Sequence, residues 1–225
     1  MNRSNVVEIL PERVANVSST SYPSHHPDHS GAWDFEEFKQ NLRVNVTRWT
    51  ADLCGFDLVG VDASIANAIR RVLIAEVPSV AIEHVYIWNN TSIIQDEVLS
   101  HRLGLIPLAI DPRKLSFKMD DEANDQNTVV FNLKADCWKN GNSKDATVEG
   151  RYVYSSQLEW DPKGDQAETM ADSPPRPVNQ DIVIAKLAPG QGMEMELHCE
   201  KGIGKDHAKF SPVATATYRL LPLIE

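Results

Sequence analysis

DASIANAIRRVLIAEVPSVAIEHVYIWNNTSIIQDEVLSHRLGLIPL, running from Asp62 to Leu108, decides how this chain is read. Asp62 has the chemistry of a helix N-cap, accepting from free backbone N–H groups at the positive end of the dipole. Ile65, Ile69, Val72 and Leu73 then recur at helical spacing and make an apolar stripe. Ala63, Ala66, Ala68 and Ala75 raise helix propensity and keep the surface thin. Arg70 and Arg71 sit toward the C-terminal end, where cations are favoured, and Pro78 stops the helix. Val80 to Trp88 is β-branched and aromatic with apolar residues on both faces, which predicts a strand covered on two sides. Asn89, Asn90, Thr91 and Ser92 are turn residues. A second helix is expected from Asp96-Glu97 to His101, Arg102 and Gly104, with the glycine as a left-handed cap and Pro107 barring continuation. No catalytic constellation occurs in this stretch. A segment so apolar, with paired arginines at a helix end, is built to be covered by another protein.

Outward from that segment, residues 1–33 are polar, with Ser, Pro and His, and are expected to be a flexible tail. Residues 38–60 read as a strand pair, LRVNVTRW and LCGFDLVG, that joins the helix and strand in an α/β unit. From Pro107 to Pro212 the pattern turns to β. VVFNLKADC (Val129 to Cys137) and MEMELHC (Met193 to Cys199) alternate apolar and polar residues as half-buried strands do. DIVIAKL (Asp181 to Leu187) is a third strand. Polar loops start at Asp120, Lys139 and Asp161, and the long one from Asp161 is expected to be disordered or an interaction surface. VATATYRLLPLIE, at 213–225, reads as a strand re-entering the first unit. The fold class is therefore α+β: a unit over 34–106, a β-rich insertion over 107–212, and a return to the first unit at 213–225.

Thirty-two acidic against 22 basic residues give a formal net charge of −10, against sequence-independent binding to DNA, which needs Lys and Arg to neutralise phosphates. No apolar run is long enough to span a bilayer. Cys54, Cys137 and Cys199 are far apart and form no C-x-x-C pair, so no zinc site is expected. His25, His26, Asp28 and His29 read as a solvated stretch, since nothing there fixes ligand geometry. His198 and Cys199 point to opposite faces of a strand, which argues against a site shared with His207. The glycine- and lysine-rich run GIGKDHAKF (Gly202 to Phe210) lacks the phosphate-loop pattern. It reads instead as a tight loop contacting a neighbouring subunit, with Lys205, Asp206, His207 and Lys209 as candidates. There is no G-x-S-x-G or H-E-x-x-H.

Three ordered blocks carry a resemblance. They are the Asn-Ala-x-Arg-Arg-Val-Leu run at Asn67 to Leu73, the DEVLSHRLGLIP run at Asp96 to Pro107, and the KGIGKDHAKFSPVATA run at Lys201 to Ala216. Together they resemble the alpha-like subunits of cellular RNA polymerases over about Asp34 to Glu225. The wording is most similar to the larger alpha-like subunit shared by eukaryotic polymerases I and III. The lack of a cysteine cluster favours that branch over the polymerase II counterpart. The resemblance implies a dimerisation domain split by an inserted domain, and a non-catalytic scaffold without cofactor or metal, acting in the nucleus. Its implied partners are a smaller alpha-like subunit, the second-largest polymerase subunit and other subunits of polymerases I and III, with no membrane and no sequence-specific nucleic acid. The implied contacts are Ile65, Asn67, Ala68, Ile69, Arg70, Arg71, Val72 and Leu73, with His101 and Arg102. Members of the family continue past the point matching Glu225, so a truncated dimerisation domain is expected, and a free-standing adaptor competing for polymerase subunits is the alternative.

Overall fold

The computed structural model describes residues 8–12, 14–15, 34–119, 122–140 and 147–221. The chain is α+β, as expected, and packs as two units: residues 1–73 with 215–225, and residues 74–214. Most of the 1–33 stretch, including His25 to His29, lies outside the described residues; within it β1 (Glu8–Ile9) pairs with β2 (Val14–Ala15).

The rest of the first unit is helix, hairpin, helix. α1 (Phe35–Asn41) is an element that the reading of 38–60 as strands missed. Its signature is local: the Asp34 carboxylate accepts from the N–H groups of Glu36 and Glu37, and those two acids occupy the first turn. β3 (Arg43–Trp49) and β4 (Cys54–Val59) form an antiparallel hairpin with a bulge between Val46 and Arg48. α2 (Ala63–Ala75) starts where Asp62 Oδ1 accepts from the Ser64 N–H at 2.8 Å. It ends ahead of Pro78. Residues 213–221 pair in no sheet, so the expected returning strand is not formed over them, although 215–221 do pack with this unit.

The second unit starts from β5 (Ser79–Asn90), α3 (Asp96–Gly104), β6 (Leu108–Ala109), β7 (Thr128–Asp136), β8 (Trp138–Asn140), β9 (Thr147–Glu149) and β10 (Tyr152–Tyr154). It continues through β11 (Glu159–Asp161), α4 (Gln166–Thr169), β12 (Arg176–Pro177), β13 (Val183–Lys186) and β14 (Gly192–Gly202). The main sheet runs β11-β7-β14-β5 and is antiparallel throughout, with β6–β12, β8–β9 and β10–β13 as small flanking pairs. β14 follows the predicted alternation: Met193, Met195, Leu197 and Cys199 are buried while Glu194, Glu196 and His198 face the other way. Phe131 and Leu133 of β7, Ile82 of β5, Leu99 and Leu103 of α3 and Ile184 of β13 complete the core.

Several expectations change here. Residues 74–106, read as part of the first unit, pack with the second, because β5 pairs along its length with β14 and α3 lies on β5. β5 is not covered on two sides. Val80 to Ile82 are buried, but Tyr86 is exposed and Trp88 is 72 % exposed, because β5 ends the sheet and nothing described lies on its outer face. Asn89 and Asn90 close the strand rather than form the turn. Asn90 organises the turn with its side chain, donating to Ile94 O and Asp96 Oδ1 and accepting from the Ser92 N–H. Gly104 is no left-handed cap: it is the last residue of α3, followed by Leu105 in the right-handed region. Gly104 is buried, and a Cβ there would make only ordinary contact, 3.4 Å from Ile82 O. The long segment from Asp161 is ordered by α4 and β12, and the buried Gln166 amide donates to Asp125 O and Thr128 O at 2.7 Å each.

Candidate assembly interface

In the first unit the apolar stripe of α2 points to solvent. Ile65, Ile69 and Val72 are 40 %, 37 % and 42 % exposed, and Leu73 is half-buried. Asn67 and Arg70 are engaged with each other within the helix: Arg70 Nε and Nη2 donate to Asn67 Oδ1 at 3.1 and 3.0 Å. Arg71 and Ala68 are exposed, and the Arg71 guanidinium meets no hydrogen-bond or ion-pair partner among the described residues. Of the two arginines, Arg71 is the one free to reach a carboxylate or carbonyl of another protein.

The hairpin adds a second apolar surface, which the sequence reading did not assign to the site. Val44 pairs with Leu58 and Val46 with Phe56, and Val44, Val46, Phe56, Val59 and the terminal Trp49 are all exposed. The alternation in RVNV was a usable signal for a one-faced strand. Whether that face was covered within the chain was not readable from it.

In the second unit the candidates divide. His101 is exposed on α3. Arg102 is committed within the chain: Nε donates to Ile184 O and Nη2 to Val183 O, joining α3 to β13. Lys209 is also internal, its side chain 12 % exposed, with Nζ donating to Ile82 O at 2.8 Å and pairing with Glu83 at 2.6 Å. His207 Nδ1 accepts from the Lys209 N–H and caps the short 3-10 turn Ala208–Phe210. The Lys205 N–H donates to Ala75 O, while its side chain and that of Asp206 are exposed. Lys201 Nζ donates to Leu115 O over the Phe117 ring. With Lys201 and Lys209 turned inward, the loop assembles no phosphate cradle. Within the second unit it ties residues 74 and 75 to β5: the Lys205 N–H reaches Ala75 O, Lys209 Nζ reaches Ile82 O, and a Cβ on Gly204 would collide with Ile74 O.

The polar face of β14 is paired off. His198 Nε2 lies 2.8 Å from Glu196, Lys118 binds Glu200 at 2.7 Å, and Lys134 pairs with Glu194. The His198 ring packs edge-on against Tyr86, and its buried Nδ1 has no partner among the described residues. Cys199 points to the opposite side, into the core, and among the described residues no three His, Cys, Asp or Glu side chains are placed to hold a metal. The exposed Arg113 holds the half-buried Asp111 carboxyl down at about 2 through a hydrogen bond, and Lys163 likewise lowers Asp161. Such surface pairs contribute little to stability. Burial pushes the Cys199 thiol well above the ordinary range. In the native chain a thiol reagent is therefore expected to modify the exposed Cys54 quickly, and the buried Cys137 and Cys199 only on unfolding. Colorimetric thiol titration with and without denaturant checks this; Cys199 reacting at the rate of Cys54 would contradict it. No described helix is long and apolar enough to cross a membrane.

The β-rich unit carries the core, and the other unit presents an outward-facing apolar helix and hairpin. The family model described as the RNA polymerase Rpb3/RpoA insert domain matches residues 85–221. The chain thus belongs to the family of alpha-like RNA polymerase subunits. Within it, the chain stands with the subunit shared by polymerases I and III. It is 46 % identical over 232 residues to DNA-directed RNA polymerases I and III subunit RPAC1 of Saccharomyces cerevisiae, over 98 % of this chain and 69 % of that protein. With the Mus musculus RPAC1 it shares 48 % identity over 219 residues, 94 % of this chain and 63 % of that one. The DNA-directed RNA polymerase II subunit rpb3 of Dictyostelium discoideum is 38 % identical over 173 residues, 75 % of this chain and 54 % of that one. The chain spans about two thirds of the length of these RPAC1 relatives.

Proposed function

We propose that this chain is a non-catalytic assembly subunit of the nuclear DNA-directed RNA polymerases I and III. In this reading it pairs with a smaller alpha-like subunit, and the pair forms a platform for the second-largest polymerase subunit, in enzymes that make rRNA, 5S rRNA and tRNA. By likeness to the family, residues 34–106 and 213–225 belong to a split dimerisation domain with 107–212 as its insertion, although residues 74–106 pack in this chain with those of the insertion. The observation that carries the proposal is the first unit's uncovered apolar layer, Ile65, Ile69 and Val72 on α2 with Val44, Val46 and Phe56 on the hairpin. Burying such a layer is the main favourable term in obligate association, where interfaces exceed about 2,000 Å² in total. Arg71 supplies a directional contact at its edge. No observation favours the free-standing adaptor.

Co-expression with a smaller alpha-like subunit, followed by light scattering on the gel-filtration peak, tests the pairing. A one-to-one heterodimer is expected. Two separately eluting chains would refute it.

A further inference from the structure

We propose that Ser173 is a phosphorylation site for a proline-directed protein kinase, carried on an extended segment that the fold holds at the surface of the second unit. Serine followed by proline occurs at Ser173-Pro174 and Ser211-Pro212, and threonine followed by proline does not occur. Only the first has a cation three residues on. The run is Ser173-Pro174-Pro175-Arg176, whereas Ala214 stands at the matching place after Ser211. A kinase cleft can read both features. An apolar pocket suits a ring that brings no N–H to satisfy, and an acidic group takes the guanidinium bidentately.

The structure treats the two serines in opposite ways. Ser173 follows α4, and its N–H donates to Met170 O at 3.0 Å. Its hydroxyl has no hydrogen-bond partner among the described residues, and Ala171 to Pro174 are all exposed. Beyond it burial alternates: Pro174, Arg176 and Val178 are exposed, and Pro175 and Pro177 are buried. That is the period of an extended backbone, so Pro174 and Arg176 stand on the same outer face. The segment is pinned there by β12, where Arg176 pairs with Ala109 and Pro177 with Leu108, and by the Val178 N–H on Pro107 O. Prolines with fixed φ leave little freedom to lose when a kinase takes the segment up. Ser211 is half-buried beside the buried Phe210. Its hydroxyl donates to Val213 O at 3.1 Å and its N–H to Ala208 O.

In the reaction, Ser173 Oγ attacks the γ-phosphorus of a nucleoside triphosphate held by the kinase. The Oγ–P bond forms as the bond from that phosphorus to the bridging oxygen breaks. The hydroxyl proton passes to a carboxylate of the kinase, and the nucleoside diphosphate leaves. The product adds about −1.5 to −2 of charge at pH 7 beside Asp172.

The test is to incubate the whole folded chain with a purified cyclin-dependent kinase and labelled ATP, and to map the phosphate by tandem mass spectrometry. Phosphate is expected on Ser173 and not on Ser211. Ser173→Ala should remove it. Arg176→Ala should lower kcat/KM by about tenfold or more. Both variants should melt with the parent. Phosphate on Ser211 with Ser173 bare would overturn the proposal, as would Arg176→Ala labelled as fast as the parent. A synthetic peptide of residues 168–179 that is labelled while the folded chain is not would also overturn it, since the fold would then be withholding the serine.

Discussion

Ile69→Asp abolishes pairing with a smaller alpha-like subunit and leaves the thermal melting of the free chain unchanged. Ile69 lies at the centre of the α2 stripe, one turn from Ile65 and from Val72, and is 37 % exposed. In the free chain a carboxylate there is hydrated and disturbs no core residue. In a complex it would be desolvated against an apolar surface with no cation to meet it, at a cost of about 3 kcal/mol or more. That is more than a hundredfold in Kd. Ile69→Leu preserves the apolar volume and is expected to pair normally. A pull-down titration of each variant, with a circular dichroism melt as control, measures both effects. Undiminished recovery of the partner by folded Ile69→Asp would remove α2 from the interface.

Phe131→Ala destabilises the second unit by about 3–5 kcal/mol. Phe131 is fully buried in the middle of β7, opposite Leu197 of β14 and Trp160 of β11, so its loss opens a cavity between strands pinned on both sides. A sheet hydrogen-bonded on both edges of β7 cannot collapse to fill it. For a domain of this size that is a fall of roughly 10 °C in Tm. It is also a large share of the stability small domains possess, about 5–15 kcal/mol. Differential scanning calorimetry reads it directly, and a melting temperature within a degree of the parent would show that the ring is not central to the core.

The two predictions concern different kinds of residue, and the sequence distinguished them unevenly. The Ile65–Ile69–Val72 stripe and the Met193–Met195–Leu197–Cys199 alternation are equally apolar in one dimension. Only the fold shows the first open to solvent and the second in the core. Arg102 and Lys209 make the same point for charged groups. Both read as partner contacts, yet their acceptors are main-chain carbonyls 82 and 127 residues away in sequence, and no local pattern encodes a bond of that range. α1 was a different kind of miss, since its capping aspartate and acidic first turn were legible but the apolar run that follows was read at a period of two.

Local chemistry, legible in the sequence, set the positions of α2 and α3 through Asp62, the paired acids at Asp96-Glu97 and the prolines beyond. It also set the alternation of β7 and β14 and the α+β class, and three ordered blocks were enough to name the family. These signals act over a few residues, where backbone sterics, capping and periodicity decide. Tertiary structure alone decided that residues 74–106 pack with the β-rich unit, that Gly104 ends α3 without a left-handed cap, and that Lys209 in the loop from Gly202 turns inward to Ile82 O. Each of those depends on which distant backbone arrives alongside, and that is settled by burial and long-range pairing of the whole sheet rather than by any stretch within it.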